Sequence, residues 1–380
     1  MTILAGLMSG TSMDAVDGCL ADFSSNPPRI LATACLPLDD LAPALRQLAT
    51  GNLTPHTDPI DLLGAMDHSL GERFADCAIQ LLEESGLKKE QITAVGLHGQ
   101  TIRHRPEAPK PFTLQIGDPN RVAERTGIPT VADFRRRDMA ARGQGAPLAP
   151  IAHRQVLGTA QGAKDLVVVN LGGIANASFL SAEGRVQGFD TGPANTLLDA
   201  WVREKLGQPF DRDGLWALSG TVDRPLLDSL VADPWFQRPP PKSTGPEYFN
   251  LDWVSARAQA IGVDILAMAP EDVQATLLQL TATTVADALA SNHAAMNLEV
   301  ILVGGGALNP ALVQAIGRAV KTRAPGTPVE SSAERGIDPQ WVECLVFAWL
   351  AGERVAGRKL QTMSVTGARH PVQLGGLYLP

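Results

Sequence analysis

Cysteine is scarce in this sequence. The 380 residues include four cysteines, Cys19, Cys35, Cys77 and Cys344, which form no CxxC pair and have no histidine at metal-ligand spacing. Disulfide frameworks and structural zinc sites both need clustered or regularly spaced cysteines. We therefore expect neither, and predict reduced thiols in the core.

Long apolar runs and excess positive charge are also missing. No stretch approaches the roughly 20 apolar residues of a membrane helix, and no basic segment precedes an apolar one at the N-terminus. The formal net charge is −8, which does not favour binding to nucleic acid or an anionic membrane. The sequence predicts a cytoplasmic protein without a nucleic-acid or membrane partner, in which local donors hold any bound anion.

The sequence does contain a repeated alternation of strand and helix patterns. A chain of 380 residues exceeds what one hydrophobic core usually organises, so two domains are expected. Apolar patterns predict strands near residues 3–5, 16–23, 92–104, 112–119 and 128–134, and a helix over about 59–85. A second series begins with strands in 164–180, a strand stopping at Asp190 and a helix from near Ala194, and continues with a strand and helix in 298–320.

Three glycine-rich bends follow strands in this pattern. The first, residues 6–14, is rich in glycine, serine and threonine; the second contains Gly172 and Gly173; the third is Gly304, Gly305 and Gly306. Backbone N–H groups in such bends can point at one anion, although a Gly/Ser bend is more often only a turn. Asp14 could orient a metal-bound water or could stabilise the turn as an Asx side chain.

Seven motifs in register carry a resemblance to a known family. The chain resembles the anhydro-N-acetylmuramic acid kinases of the sugar kinase, Hsp70 and actin superfamily over nearly its whole length, through "GLMSGTSMDAVD", "GLHGQTIRH", "ADFRRRDMAARGQGAPL", "NLGGIANAS", "GFDTGPANTLLDAW", "KSTGPEYFNL" and "VGGGALN". The resemblance implies an α/β fold with two actin-like, ribonuclease H-like domains flanking a nucleotide cleft. It places them at residues 1–137 plus about 351–380, and at 138–350.

The activity that this resemblance implies is murein recycling. ATP, Mg²⁺, water and 1,6-anhydro-N-acetylmuramic acid would give N-acetylmuramic acid 6-phosphate and ADP. An anhydro sugar has no free hydroxyl on carbon 6, so its internal acetal must open in the same event. Inverting glycosidases open an acetal with a base and an acid. Here the γ-phosphoryl group can capture the departing oxygen, which leaves one base as the central requirement.

Asp190 is the predicted base, because it ends a strand beside a Gly-Pro turn and could accept a proton from water. Its spacing equally fits a cap for the helix near Ala194, and the resemblance favours catalysis. Glu343 lies in an otherwise apolar helix, where it would support the water or Asp190, or form an ion pair.

The nucleotide and sugar residues are assigned by charge and by the resemblance. The predicted nucleotide ligands lie in the three bends: Ser9, Gly10, Thr11, Ser12, Met13, Asp14, Ala15, Val16, Gly172, Gly173, Asn176, Gly304, Gly305 and Gly306, with Asp14 also in the Mg²⁺ shell. Among four arginines in 135–142, Arg137 is the choice to clamp the lactyl carboxylate. The remaining predicted sugar ligands are His98, Gln100 and Asn195.

Two alternatives remain open. One is a kinase acting on an ordinary sugar hydroxyl, which would also need a carboxylate base. The other is an actin- or Hsp70-like ATPase that acts on a protein partner. Apolar positions over 277–289 suggest core packing first and a homodimer face second, and the segment 242–250 suggests an ordered loop near the cleft.

Overall fold

A computed structural model describes residues 2–10, 13–158, 164–240, 242–292 and 298–380. By its internal contacts the chain divides into unit 1, Met1–Ala160 with Trp341–Pro380, and unit 2, Gln161–Gln340. Residues 138–160 and 341–350, predicted to belong to the second domain, group with unit 1. The physical reason is that Asp138 accepts a hydrogen bond from Thr366, and the helix beginning at Val342 packs on the first strand of the chain.

Each unit contains one mixed β-sheet. The sheet of unit 1 consists of β1 (Ile3–Ser9), β2 (Ala15–Asp22), β3 (Arg29–Pro37), β4 (Ile92–Arg105), β5 (Phe112–Ile116), β6 (Thr130–Ala132) and, near the end of the chain, β12 (Gly376–Tyr378). The sheet of unit 2 consists of β7 (Asp165–Leu171), β8 (Ile174–Leu180), β9 (Val186–Pro193), β10 (Leu298–Val303) and β11 (Val329–Ser331).

Helices cover the sheets of both units. Those of unit 1 are α1 (Ala42–Thr50), α2 (Pro59–Ser85), α3 (Pro119–Thr126), α4 (Phe134–Ala140), α5 (His153–Val156), α12 (Val342–Val355) and α13 (Met363–Thr366). Those of unit 2 are α6 (Asn195–Leu206), α7 (Leu215–Ser219), α8 (Arg224–Val231), α9 (Leu251–Gln259), α10 (Pro270–Asn292) and α11 (Pro310–Arg323).

Five strands of each sheet share one topology. In unit 1 the order is β12-β6-β4-β1-β2-β3, with β5 on β4; β2 is antiparallel to its neighbours, and β4 and β6 continue the sheet in parallel. In unit 2 the order is β11-β10-β7-β8-β9, with β8 antiparallel and β10 and β11 parallel. This repeated arrangement confirms the predicted α/β class and the duplicated ribonuclease H-like plan.

Two glycines allow α12 to lie directly on the unit 1 sheet. A methyl carbon built on Gly6 of β1 would overlap the main chain at Cys344, and one built on Gly96 of β4 would overlap the main chain at Phe347. Helix and strand backbones therefore touch without intervening side chains. This close approach explains why α12 is apolar over most of its length.

Several predicted elements are confirmed, and some details differ. Helix α2 spans Pro59–Ser85 as predicted, beginning at the cap Asp58 and burying one face. Strand β9 continues past Asp190 to Pro193, because Gly192 and Pro193 still pair with β8 beyond a bulge. The helix predicted within 298–320 is α11, on which Leu312, Ile316 and Val320 are buried and Val313 is partly buried.

Burial bears on two further predictions. All four cysteines are free; Cys19, Cys77 and Cys344 are buried as predicted, whereas the prediction is wrong for Cys35, which lies exposed on β3. The apolar residues over 277–289 pack in the unit 2 core, so core packing is confirmed and these side chains offer no dimer face. Within the described ranges, no helix has the length and hydropathy needed to cross a bilayer.

Candidate active site

Asp190 lies in a row of polar residues that crosses the unit 2 sheet. Asn170 on β7 is opposite Asn176 on β8, and Asn176 is opposite Asp190 on β9. Directly opposed residues project to the same face of a sheet. The sheet therefore gathers two amides and one carboxylate on one face, among strands that are otherwise mostly buried.

The segment 242–250 holds Asp190 at two points. The Thr244 N–H donates to Asp190 Oδ2 at 2.8 Å, and the Asp190 N–H donates to the Lys242 carbonyl at 3.0 Å. The N-cap residue of helix α6 is Ala194, and no side chain accepts a hydrogen bond from the first N–H groups of this helix. The capping alternative for Asp190 is therefore wrong, because its described carboxylate contact is with the loop.

The surroundings of Asp190 make it a stronger base than an ordinary aspartate. Burial raises the pKa of Asp190 to about 7, and the nearby charge of Glu247 acts in the same direction. The Thr244 N–H and the Lys242 ammonium favour the ionised form and oppose that rise. A carboxylate with a pKa near neutrality is suited to accepting a proton from water at physiological pH.

The second and third glycine bends meet beside the start of α6. The carbonyls of Gly172 and Gly173 accept the first main-chain N–H groups of this helix, and Asn195 Nδ2 donates to the Leu171 carbonyl at 3.0 Å. A methyl carbon at Gly306 would lie 3.1 Å from Asn195 Oδ1. Asn195, predicted as a sugar ligand, thus lies among the residues predicted to bind nucleotide.

The third bend must consist of glycine at two of its positions. Gly304 has a φ of +80°, and a methyl carbon there would overlap Asn170 Oδ1. A methyl carbon on Gly306 would lie 2.7 Å from Leu171 Cβ, whereas Gly305 faces open space. The bend therefore presses its backbone against the end of β7 and leaves one side accessible.

The first bend is the turn between β1 and β2 in unit 1. Ser9 pairs with Val16 and its Oγ donates to the Ala15 carbonyl, while Met13 adopts a φ of +56° and donates its N–H to the Gly10 carbonyl. Thr11 and Ser12 lie outside the described residues. Buried Met13 and Val16 can offer only their backbones to a ligand.

Asp14 is the exposed carboxylate of this turn. Its Oδ1 accepts the Ala15 N–H at 3.1 Å. Across the described ranges, no three His, Cys, Asp or Glu side chains converge as a metal-binding group. Magnesium is commonly held by one or two carboxylates together with waters and substrate phosphates, so the exposed Asp14 carboxylate is compatible with this ion.

His98 belongs to a cluster around Arg135 in unit 1. The Arg135 Nε–H donates to His98 Nε2 at 3.0 Å, so the other ring nitrogen carries the proton and donates to the Gly99 carbonyl at 2.8 Å. Burial, with the Arg135 charge, holds the pKa of His98 well below its usual value. His98 is therefore a neutral ring with both nitrogens engaged.

Arg135, rather than Arg137, is the arginine that the fold brings to this cluster. Arg137 is exposed on α4, whereas the Arg135 guanidinium is enclosed and also donates from Nη1 to the Gly145 carbonyl at 2.9 Å. The nearby Glu343 carboxylate favours the charged form and raises the pKa of Arg135, against the larger effect of burial, which lowers it. Glu343 itself lies half-buried in the first turn of α12.

Gln100 presents an unpaired acceptor on the strand that carries His98. Its side chain is 0% exposed, Nε2 donates weakly to the Thr101 carbonyl at 3.3 Å, and Oε1 has no hydrogen-bond partner within the described part of the chain. A buried amide oxygen without a donor is unfavourable unless a ligand or water satisfies it. This observation is compatible with the predicted ligand role of Gln100.

Sequence reasoning missed Thr244 and did not choose Arg135. Thr244 acts through its main-chain N–H, for which no residue type is a signal. Arg135 is one of three consecutive arginines, and only the orientation of a short helix separates them.

These features define an α/β protein of two ribonuclease H-like units, with glycine bends suited to phosphate and a carboxylate suited to activating an oxygen nucleophile. The sequence model of the anhydro-N-acetylmuramic acid kinases matches residues 2–380. The chain is 50% identical over 375 residues to the anhydro-N-acetylmuramic acid kinase of Xanthomonas campestris pv. campestris, covering 98% of this chain and 96% of the relative. The protein belongs to this family.

The chain is also similar to a more distant relative and to one solved structure. The anhydro-N-acetylmuramic acid kinase of Saccharophagus degradans is 42% identical over 382 residues, covering 100% of this chain and 99% of the relative. The activator of 2-hydroxyisocaproyl-CoA dehydratase from Clostridium difficile aligns with a TM-score of 0.48 and 13% identity, covering 94% of this chain and 96% of that one.

Proposed function

We propose that this protein is an ATP-dependent kinase that hydrolytically opens 1,6-anhydro-N-acetylmuramic acid and phosphorylates its 6-oxygen in cell-wall recycling. The observation that carries the proposal is the Asp190 carboxylate, which lies in the polar row of the unit 2 sheet and accepts the Thr244 N–H, in a chain of this family. Asp190 accepts a proton from water as the water oxygen attacks the anomeric carbon. The bond from that carbon to O6 breaks, O6 attacks the γ-phosphorus, and the bond to the β-phosphate oxygen breaks to release ADP.

The glycine bends supply the phosphate ligands in this proposal. Backbone N–H groups of the Ser9–Val16 turn, and the accessible side of Gly305, are suited to phosphate and nucleoside contacts. Asn176 lies in the polar row with Asp190. Mg²⁺ held through water by Asp14 would neutralise charge on the β- and γ-phosphates.

The sugar ligands in this proposal include the buried cluster of unit 1. We assign the lactyl carboxylate to Arg135, because its guanidinium is partly committed to His98 and Gly145 and retains further N–H donors. His98 fixes the guanidinium, and Glu343 supplies its countercharge. Gln100 Oε1 is a suitable acceptor for a sugar hydroxyl or amide.

Isotope tracing in ¹⁸O-labelled water tests the reaction. The proposal requires the label on the anomeric hydroxyl of the product and none on phosphate. Label on inorganic phosphate would indicate simple ATP hydrolysis, and rapid phosphorylation of free N-acetylmuramic acid would favour an ordinary sugar hydroxyl kinase. Either result overturns the coupled ring opening.

Asp190→Asn tests the base. The amide retains the shape and can still accept the Thr244 N–H, but it cannot take a proton at neutral pH. We expect ATP binding to persist and turnover to fall by a factor on the order of a thousand. Near-normal turnover would remove Asp190 from this role.

A further inference from the structure

A second aspartate, Asp233, makes hydrogen bonds within the segment that contacts Asp190. We name the residues 233–240 and 242–253 the aromatic loop, because they contain Trp235, Phe236, Tyr248, Phe249 and Trp253. Adjacent rings in this set lie 4.9–5.5 Å apart, most of them edge to face. Such packing forms a compact cluster within unit 2.

Asp233 gathers three donors from both ends of the aromatic loop. Its Oδ1 accepts the Trp235 N–H at 2.8 Å and the Tyr248 hydroxyl at 2.9 Å, and its Oδ2 accepts the Trp253 indole N–H at 2.9 Å. The residue is 4% exposed. These hydrogen bonds hold the pKa of Asp233 below its usual value despite burial, and the Arg257 charge acts in the same direction.

The middle of the aromatic loop reaches Asp190. Lys242 Nζ donates to the Phe236 carbonyl at 2.9 Å and lies 4.5 Å from the Trp235 ring centroid. The Lys242 carbonyl and the Thr244 N–H then make the two contacts with Asp190. A methyl carbon on Gly192, two residues beyond Asp190, would lie 2.8 Å from Phe236 Cε1, so the cluster also packs against the end of β9.

We propose that Asp233 is a positioning residue for the reaction: by closing the aromatic loop, it keeps the Thr244 N–H on the Asp190 carboxylate and so sets the basicity of that group. This inference rests on the proposed role of Asp190. Asp233 touches neither the reacting atoms nor Asp190. Its contacts with Trp235, Tyr248 and Trp253 close the loop whose main-chain groups at Lys242 and Thr244 reach Asp190.

The expected effect follows from the charged groups that face Asp190. Lys242 and the Thr244 N–H stabilise its ionised form, and Glu247 opposes it. Loosening the aromatic loop weakens the Thr244 contact, and the pKa of Asp190 rises further. The acid limb of the kcat profile should then move to higher pH, by roughly half to one unit for partial loss of a charged hydrogen bond.

The chain offers a matched pair of variants, because it contains two tyrosines and each donates to an aspartate. Tyr248 donates to Asp233, and Tyr378 donates to Asp133 in unit 1 at 2.8 Å. Tyr248→Phe and Tyr378→Phe each remove one hydroxyl. Both should lower the melting temperature, but only Tyr248→Phe should shift the acid limb, with the KM for ATP unchanged.

Trp253→Phe provides a second route to the same contact if Tyr248→Phe folds poorly, since it removes the indole N–H that donates to Asp233 and keeps an aromatic ring beside Phe249. A shift in either loop variant, absent from Tyr378→Phe, supports the inference. If the pH profiles of both loop variants match that of Tyr378→Phe, the positioning role of Asp233 is overturned. The proposed function still stands in that case, provided that Asp190→Asn is inactive. An active Asp190→Asn overturns the proposed base instead.

Discussion

Burial of the Asp190 carboxylate makes its contribution to stability depend on pH. Its pKa is raised from 3.8 to about 7, so the folded protein binds a proton more tightly than the unfolded chain does between those values. The free energy of unfolding therefore increases as the pH falls through 7, because the folded protein takes up the proton. Above pH 7 the buried carboxylate is ionised and destabilises the folded state. Such strain is common where a functional group must stay reactive.

Asp190→Asn should accordingly be more stable than the native protein at pH 8. We expect a melting temperature higher by roughly 2–4 °C, for a gain near 1 kcal/mol. At pH 5 the native carboxyl group is largely protonated in the folded state, so the difference should narrow. Differential scanning calorimetry at both pH values checks this, and an equal difference at pH 5 and pH 8 would contradict it.

Arg135 and Arg137 differ in placement although they belong to one basic run. Arg135→Gln should raise the KM for the anhydro sugar by at least tenfold, because it removes the guanidinium to which we assign the lactyl carboxylate. Arg137→Gln, which changes an exposed side chain, should alter that KM less than twofold. Steady-state kinetics at fixed ATP separates them, and the reverse order would restore Arg137 as the carboxylate ligand.

At the scale of elements, the contact between α12 and the unit 1 sheet should be intolerant of any side chain. Gly96→Ala would force a methyl carbon into the main chain at Phe347, so the helix must move. We expect loss of several kcal/mol of stability or failure to fold, as overpacking at a rigid backbone contact predicts. Chemical denaturation or soluble yield measures the effect.

Gly64→Ala is the matched control for this substitution. Gly64 lies within α2 of the same unit, and a methyl carbon there meets nothing within 4 Å. It should stabilise the helix by roughly 0.5–1 kcal/mol. Similar effects of the two substitutions would mean that α12 does not approach the sheet as closely as described.

The elements were predictable where the local pattern decides them. Helix α2 carries both an Asp cap and periodic apolar residues, and its bounds follow from the sequence. The end of β9 was missed, since continuation beyond Asp190 depends on pairing with β8 across a bulge. The same limit applies to the site: Asp190 ends a recognisable pattern, whereas its Thr244 contact is made by a main-chain group from a distant segment.

At the scale of the whole molecule, two natural probes are divided between the units. All four cysteines lie in unit 1, and Trp201, Trp216, Trp235 and Trp253 give unit 2 four of the six tryptophans. Each unit has its own hydrophobic core. Thiol labelling therefore follows unit 1, and tryptophan fluorescence follows mainly unit 2.

We expect these two probes to give different midpoints in a urea titration, because separate cores need not unfold together. Before unfolding, Cys19, Cys77 and Cys344 should resist labelling, since they are buried. A Cys35→Ser variant removes the exposed thiol and simplifies the measurement. Coincident midpoints at several protein concentrations would show a single cooperative transition.

A homodimer and a cytoplasmic location remain predictions at this scale. The apolar residues over 277–289, for which a dimer face was the second alternative, are buried in the unit 2 core.

The division of unit 1 between the two ends of the chain has a consequence for biosynthesis. Strands β1 to β6 leave the ribosome first, but the helix that covers β1 and β4, and the edge strand β12, are translated only after all of unit 2. Unit 2 can thus acquire its native structure during translation, whereas unit 1 can be completed only after the chain leaves the ribosome. Until then, a new chain would expose the apolar face of the unit 1 sheet that α12 later covers, and a chaperone could bind this face.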